Sequence, residues 1–345
     1  MKKHLFLSIL VVFSLIAKSQ APLSLAEGES AVVYSLPKMV FNIEVETEKT
    51  IQKPGQFYRY SERYLGTNKV ITEEKTSYRL KSITVKTIAI PDPVRTYSFV
   101  PSTTLQTSHL SVNSKGIICG INVNYDEGRV SMPTIQISKP LVKPDPVLPL
   151  GEEYMMAGSE AKLAEGVAKQ IYRIRESRLG LLTSDVDKLP ADGDSFKTML
   201  NGLDKMEKDL TELFSGKSTT ETQTQTISIT PAKALKEQVL FRLSALKGIV
   251  EADDLSGVPY YINLNPENIT VNSTDSKGKS EKGGLYTIIP AYSLLTIGDG
   301  TNTLYTNNFF VPQFGKTVSI PESFFKQTHL KVKIDPQNGR LLSIE

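Results

Sequence analysis

Val40-Phe41-Asn42-Ile43-Glu44-Val45-Glu46-Thr47 alternates apolar and polar side chains residue by residue. Successive side chains of a strand leave opposite faces of the sheet, so a period of two describes a strand with one face buried and one in water. The alternation returns through Tyr78 to Ile88, where Leu80, Ile83, Val85 and Ile88 stand among polar neighbours. The chain therefore reads as β structure from Ala31 to about Val123. One helical insert interrupts it: Pro54-Gly55 precedes Phe57, Ser61, Tyr64 and Leu65 at helical spacing, and Gly66 supplies a stop. Phe57, Tyr64 and Leu65 are expected to cover a sheet, with Tyr58 and Tyr60 at its rim.

The pattern changes further along. Pro133, Pro140, Pro144, Pro146 and Pro149 mark an extended linker. Beyond it, Ser159 can cap a helix whose apolar stripe is Ala164, Val167, Ala168, Ile171 and Ile174, with Arg173, Arg175 and Arg178 toward the end that favours cations. A second helix, capped by Asp194 or Ser195, repeats apolar residues from Phe196 through Leu203 and Leu210 to Leu213 and stops at Gly216. Two amphipathic helices joined by a short polar loop pack as an antiparallel hairpin. After Ser218, short strands follow at Thr226 to Thr230, Val239 to Leu243, Tyr260 to Leu264 and Tyr286 to Ile289, with Gly298-Asp299-Gly300 and Asn338-Gly339 as turns. Thr274 to Gly284 is a Ser/Lys/Gly-rich loop. The fold class is α+β: two mainly antiparallel β domains, 20–132 and 217–345, with a proline-rich linker at 133–150 and a helical hairpin at 151–216 between them.

The two β regions rhyme. Thr107-Ser108-His109-Leu110-Ser111-Val112, then Gly116 to Ile121, parallels Thr328-His329-Leu330-Lys331-Val332, then Gly339 to Ile344. Tyr34-Ser35-Leu36-Pro37 leads into Val40 and Ile43 as Tyr286-Thr287-Ile288-Ile289-Pro290 leads into Leu294 and Ile297. Openings and closings match in the same order, so an internal duplication is expected. The Leu-x-Val spacing places Leu110, Val112, Leu330 and Val332 inward and both histidines outward.

The first residues have the layout of a secretory signal: Lys2 and Lys3, an apolar stretch from Leu5 to Ile16, then Ala17 and Ser19 before Gln20. The stretch is shorter than the roughly 20 residues that cross a bilayer, so 1–19 is expected to be cleaved between Ser19 and Gln20 and the mature chain to be periplasmic or extracellular, with no transmembrane segment. Removing Lys2, Lys3 and Lys18 from 40 Lys+Arg leaves 37 against 37 Asp+Glu, so no bulk charge attracts nucleic acid or an anionic membrane. Cys119 is the single cysteine, in an apolar run, which excludes an internal disulfide and reads as a buried small hydrophobe.

The chemistry is mostly one of missing parts. Beyond His4, only His109 and His329 are present, with no H-E-x-x-H, C-x-x-C, G-x-S-x-G or phosphate-binding glycine loop. Glu152-Glu153 and Asp253-Asp254 are the adjacent acids a glycosidase could use, and Asp185, Asp187, Asp192 and Asp194 form an oxygen-rich loop that departs from the EF-hand at Pro190 and Phe196. Both read more simply as solvated surface and helix caps. No catalytic, cofactor-binding or metal-binding residue is assigned, and no cofactor is expected.

Taken together, Tyr34-Ser35-Leu36-Pro37, Pro54-Gly55 with Tyr60 and Tyr64-Leu65-Gly66, Ile171-Tyr172-Arg173-Ile174-Arg175 with Arg178, Leu213-Phe214-Ser215-Gly216, Phe241-Arg242-Leu243-Ser244, Gly257-Val258-Pro259-Tyr260 and Gln313-Phe314-Gly315 resemble a secreted family of unknown function from Bacteroidetes bacteria. The resemblance implies export and life at the cell envelope, and it brings no catalytic residues with it. The expected function is non-catalytic binding or scaffolding of a protein or glycan partner there. The alternatives are a carbohydrate-active hydrolase using an Asp/Glu pair, or an inhibitor or chaperone of a secreted partner.

Overall fold

The computed structural model describes residues 32–99, 110–125, 156–183, 193–267, 284–321 and 330–345. The signal-like segment, the proline-rich stretch, Glu152-Glu153, Asp185, Asp187, Asp192, His109 and His329 lie outside the described residues. Among the described residues the fold is mostly antiparallel β, with a helical hairpin between β-rich parts.

The alternating stretch lies in β1 (Val32–Lys53), which pairs with β2 (Lys75–Phe99) in a long hairpin and, on its other side, with β5 (Lys217–Ile229). A five-stranded sheet faces these three, in the order β10 (Thr303–Ile320), β9 (Leu285–Gly298), β8 (Val258–Pro266), β6 (Leu235–Ser244), β7 (Gly248–Val250). The odd-numbered side chains of β1, Met39, Phe41, Ile43 and Val45, are all buried and meet Phe241, Ile262, Leu264, Leu295, Ile297 and Val311 in one core. The ring of Phe41 meets Phe309 edge-on at 5.2 Å. The even-numbered Glu44, Glu46 and Glu48 stand on the opposite face, beside Lys86 (2.7 Å), Lys81 (3.6 Å) and Arg79 (2.5 Å). In water such pairs contribute about 0–1 kcal/mol each, so burial of the odd face holds the sandwich together.

A second core closes one end. The four-stranded sheet there runs β12 (Leu341–Ile344), β11 (Val332–Ile334), β4 (Ile118–Ile121), β3 (Leu110–Val112). Its inner side brings Tyr34, Leu36, Phe99, Leu110, Ile118 and Ile121 against Leu285, Ile288, Val332 and Ile334. Both cores thus draw residues from both β regions. Cys119 is buried at 2 % exposure in β4. A bulky maleimide should leave it unlabelled until denaturant is added; rapid labelling of the native protein would contradict this placement.

The two β regions repeat in topology. β1-β2-β3-β4 and β9-β10-β11-β12 are each a long hairpin followed by a short one. Both long hairpins carry the same irregularity: Leu36 faces the four residues Asp92 to Arg95, and Pro290 faces the four residues Pro312 to Gly315. These insertions hold one another. The Arg95 guanidinium donates to the carbonyls of Pro312 (2.8 Å) and Gln313 (3.2 Å), and the Gln313 amide exchanges hydrogen bonds with the backbone N–H (3.0 Å) and carbonyl (2.9 Å) of Met39. The short hairpins match as well, with Gly116 and Gly339 in left-handed turns whose N–H groups return to the Asn113 and Asp335 carbonyls.

One expectation fails in detail. Leu110 and Val332 are inward and Leu330 is half-buried, but Val112 is turned out at 37 % exposure. Partners fix the correspondence: Leu110, Ser111 and Val112 pair with Ile121, Gly120 and Ile118, while Val332, Lys333 and Ile334 pair with Ile344, Ser343 and Leu341, and Ile334, the equivalent of Val112, is buried at 2 %. The structural equivalent of Leu110 is therefore Val332, two residues from the match that the sequence suggests. Gly120 sits where β4 meets β11, at φ 147°, and an added Cβ would strike the Val332 carbonyl. Gly120→Ala should destabilise by about 1–3 kcal/mol, read as a lowered melting temperature; an unchanged one would contradict the β4–β11 pairing.

The helical unit sits at the far end of the β1–β2 hairpin. α2 (Glu160–Thr183) buries the predicted stripe of Ala164, Val167, Ala168, Ile171 and Ile174 against Leu210 and Phe214 of α3 (Gly193–Ser215). The short insert, a turn at Tyr58–Tyr60 followed by α1 (Ser61–Leu65), packs on these helices where a sheet was expected. Phe57 lies 5.6 Å from Phe214, and the Ser61 hydroxyl donates to the Phe214 carbonyl at 2.9 Å. Arg175 and Arg178 reach across the hairpin to Glu207 (2.7 and 2.9 Å), and Arg178 also reaches Asp204 (2.8 Å), so their position reflects pairing between helices.

Candidate functional site

α3 ends at Ser215, and Gly216, at φ 84°, turns the chain directly into β5. β5 reads Lys-Ser-Thr-Thr-Glu-Thr-Gln-Thr-Gln-Thr-Ile-Ser-Ile and pairs with β1 residue for residue, from Lys217 opposite Lys53 to Ile229 opposite Phe41. Among the described residues no second strand lies beside it. The Thr47 hydroxyl reaches the Gln223 carbonyl (3.4 Å), and the Thr219 hydroxyl reaches the carbonyl of Ile51 directly opposite (3.5 Å). These contacts place odd-numbered residues of β5 in the hydrogen-bonded pairs with β1, because in an antiparallel ladder only such pairs turn their backbone groups toward each other. The N–H and C=O groups of Ser218, Thr220, Thr222, Thr224, Thr226 and Ser228 therefore point outward. All six carry a hydroxyl.

β5 also borders a groove of about 360 Å³ lined by Thr47, Gln223, Thr224, Gln225, Lys247, Gly248 and Ile249. Gly248, at φ 82°, lies against the Tyr78 ring, which fixes the turn carrying Lys247. Lys247 pairs with Asp254 at 3.2 Å. Hydrogen bonds from Ser256, then the Lys247 ammonium, hold the Asp254 carboxyl at about 2. Of the acids that the sequence offers a hydrolase, Asp254 is thus an ionised loop anchor, and Asp253 beside it is exposed. Among the described residues no three His, Cys, Asp or Glu side chains come together as a metal site would require.

Edge strands are ordinarily protected by charges, proline or bulges. β2, at the opposite edge of this sheet, has such protection in Lys75, Arg79, Lys81, Lys86, Pro91 and Pro93. β5 has a regular register without a bulge, no proline, and one charge, Glu221, between Ser218 and Ile229. Among the described residues nothing covers its outer edge, which offers a template for another strand.

A family model described as a domain of unknown function (DUF4831) matches residues 30–342. The chain belongs to that family. The DUF4831 match runs from the start of β1 into β12, so the helical unit and the exposed strand β5 lie inside the family domain. No curated protein and no solved structure matches the chain. Among the described residues no helix is long and apolar enough to cross a membrane.

Proposed function

We propose that this chain is an exported, non-catalytic binding or scaffolding protein of the cell envelope, and that it engages its partner by strand addition along β5. The observation that carries this reading is the row of outward backbone groups on an unprotected 13-residue edge strand. A partner strand gains main-chain hydrogen bonds there without any catalytic group, as in other recognition by β-augmentation. Export rests on the signal-like first 19 residues, and association with the envelope on the secreted family that the sequence resembles.

The rival is a carbohydrate-active hydrolase. Incubating the purified mature protein with a panel of envelope and capsular glycans separates them. No turnover is expected, with or without divalent cations. Robust hydrolysis abolished by a single Asp→Asn or Glu→Gln change would overturn the non-catalytic reading.

A further inference from the structure

We infer that the occupant of the β5 edge is β5 of a second copy of this chain, joined about a two-fold axis through Gln223. The inference rests on the proposed strand addition and names its partner. An isologous contact needs a strand that complements itself when reversed, and Gln223 is the middle of Lys217–Ile229. Reversal about it sets Thr222 opposite Thr224, Thr220 opposite Thr226 and Ser218 opposite Ser228. These are the residues whose backbone groups face outward, so each pair can exchange two hydrogen bonds.

Side chains agree with this register. On the solvent face the pairs are Thr with Thr and Ser with Ser, which stabilise neighbouring strands through their hydroxyls. On the face toward the groove, Gln223 meets Gln223, Glu221 meets Gln225 and Thr219 meets Ile227, so no charge faces its own kind. Glu221 of the second copy arrives beside Gln225, in the groove where Lys247 stands, and adds a carboxylate near a cation that pairs with Asp254. The product is a continuous six-stranded sheet, β2-β1-β5 followed by its symmetry mate.

Cysteine chemistry tests the register directly, because Cys119 is buried and a second cysteine is the only reactive one. At the two-fold axis residue 223 forms a non-hydrogen-bonded pair, where Cα atoms lie about 4.5 Å apart and a disulfide can close. Gln223→Cys should oxidise to a covalent dimer, whereas Ser82→Cys, away from this edge, should not. Sedimentation equilibrium of the unmodified protein should show a reversible dimer. Thr224→Pro, which removes one outward N–H per copy and none facing β1, should raise the dimer Kd roughly thirtyfold with an unchanged circular dichroism spectrum, equivalent to two net hydrogen bonds. A monomer at every concentration in which the Gln223→Cys thiol is labelled at once would overturn self-pairing and leave the edge open to a different partner. A monomer in which that thiol is shielded would close the edge within one chain and overturn strand addition as well.

Discussion

Phe41→Ala should cost about 3–5 kcal/mol and lower the unfolding temperature of the entire β structure in one step. Phe41 is fully buried at the middle of β1, between the edge-on ring of Phe309 and the apolar residues of the facing sheet. Truncation removes a phenyl ring from a core built from both sides of the helical hairpin. Neither β region can relax alone to fill the cavity. Thermal unfolding followed by circular dichroism should therefore keep a single β transition, shifted downward. A variant in which one β transition moves and a second stays in place would mean that the two regions have separate cores.

Ile171→Asp should have a comparable effect confined to the helical unit. Ile171 is fully buried in the seam of α2 and α3, among Phe57, Leu210 and Phe214. An aspartate there either carries an unpartnered charge or takes up a proton to avoid it, and the cost is about 3–5 kcal/mol. Leu203 lies nearer the start of α3 than the level of Ile171 and is only partly buried, so Leu203→Asp should be milder. Helical ellipticity monitored against urea should show early loss for Ile171→Asp and a smaller shift for Leu203→Asp. Equal midpoints for both variants and the parent would refute the packing of the hairpin.

How far the sequence discloses this architecture depends on what each pattern encodes. The period of two in Val40 to Thr47 and the three- and four-residue spacing of Ala164 to Ile174 state which side of an element avoids water, and the structure buries those sides. Neither states which partner covers them. That the odd face of β1 packs on strands more than 190 residues later, and that Phe57 and Leu65 pack on helices, depends on tertiary contacts. The candidate site was less legible still. From Lys217 to Thr226 every side chain is polar or charged, so no apolar alternation signals a strand, and the expected strand began only at Thr226. What makes β5 notable is its place at the end of a sheet, a property of topology. The sequence contribution is its composition, a run of Thr, Ser and Gln with one charge, which gains its meaning only once the edge is known. The two-residue offset between the Leu-x-Val rhyme and the paired hairpins has a similar origin, since period two preserves the face while leaving register undetermined.

Residue-resolved amide hydrogen exchange across β5 tests the central claim, recognition through a free strand edge, most directly. In dilute protein the amides of Thr219, Glu221, Gln223 and Gln225, bonded to β1, should exchange slowly, while those of Thr220, Thr222, Thr224 and Thr226 exchange fast. Raising the protein concentration, or adding soluble envelope extract, should slow the second set and leave the first unchanged. Even-numbered amides that are already slow in the dilute monomer, or that stay fast under every addition, would contradict the account.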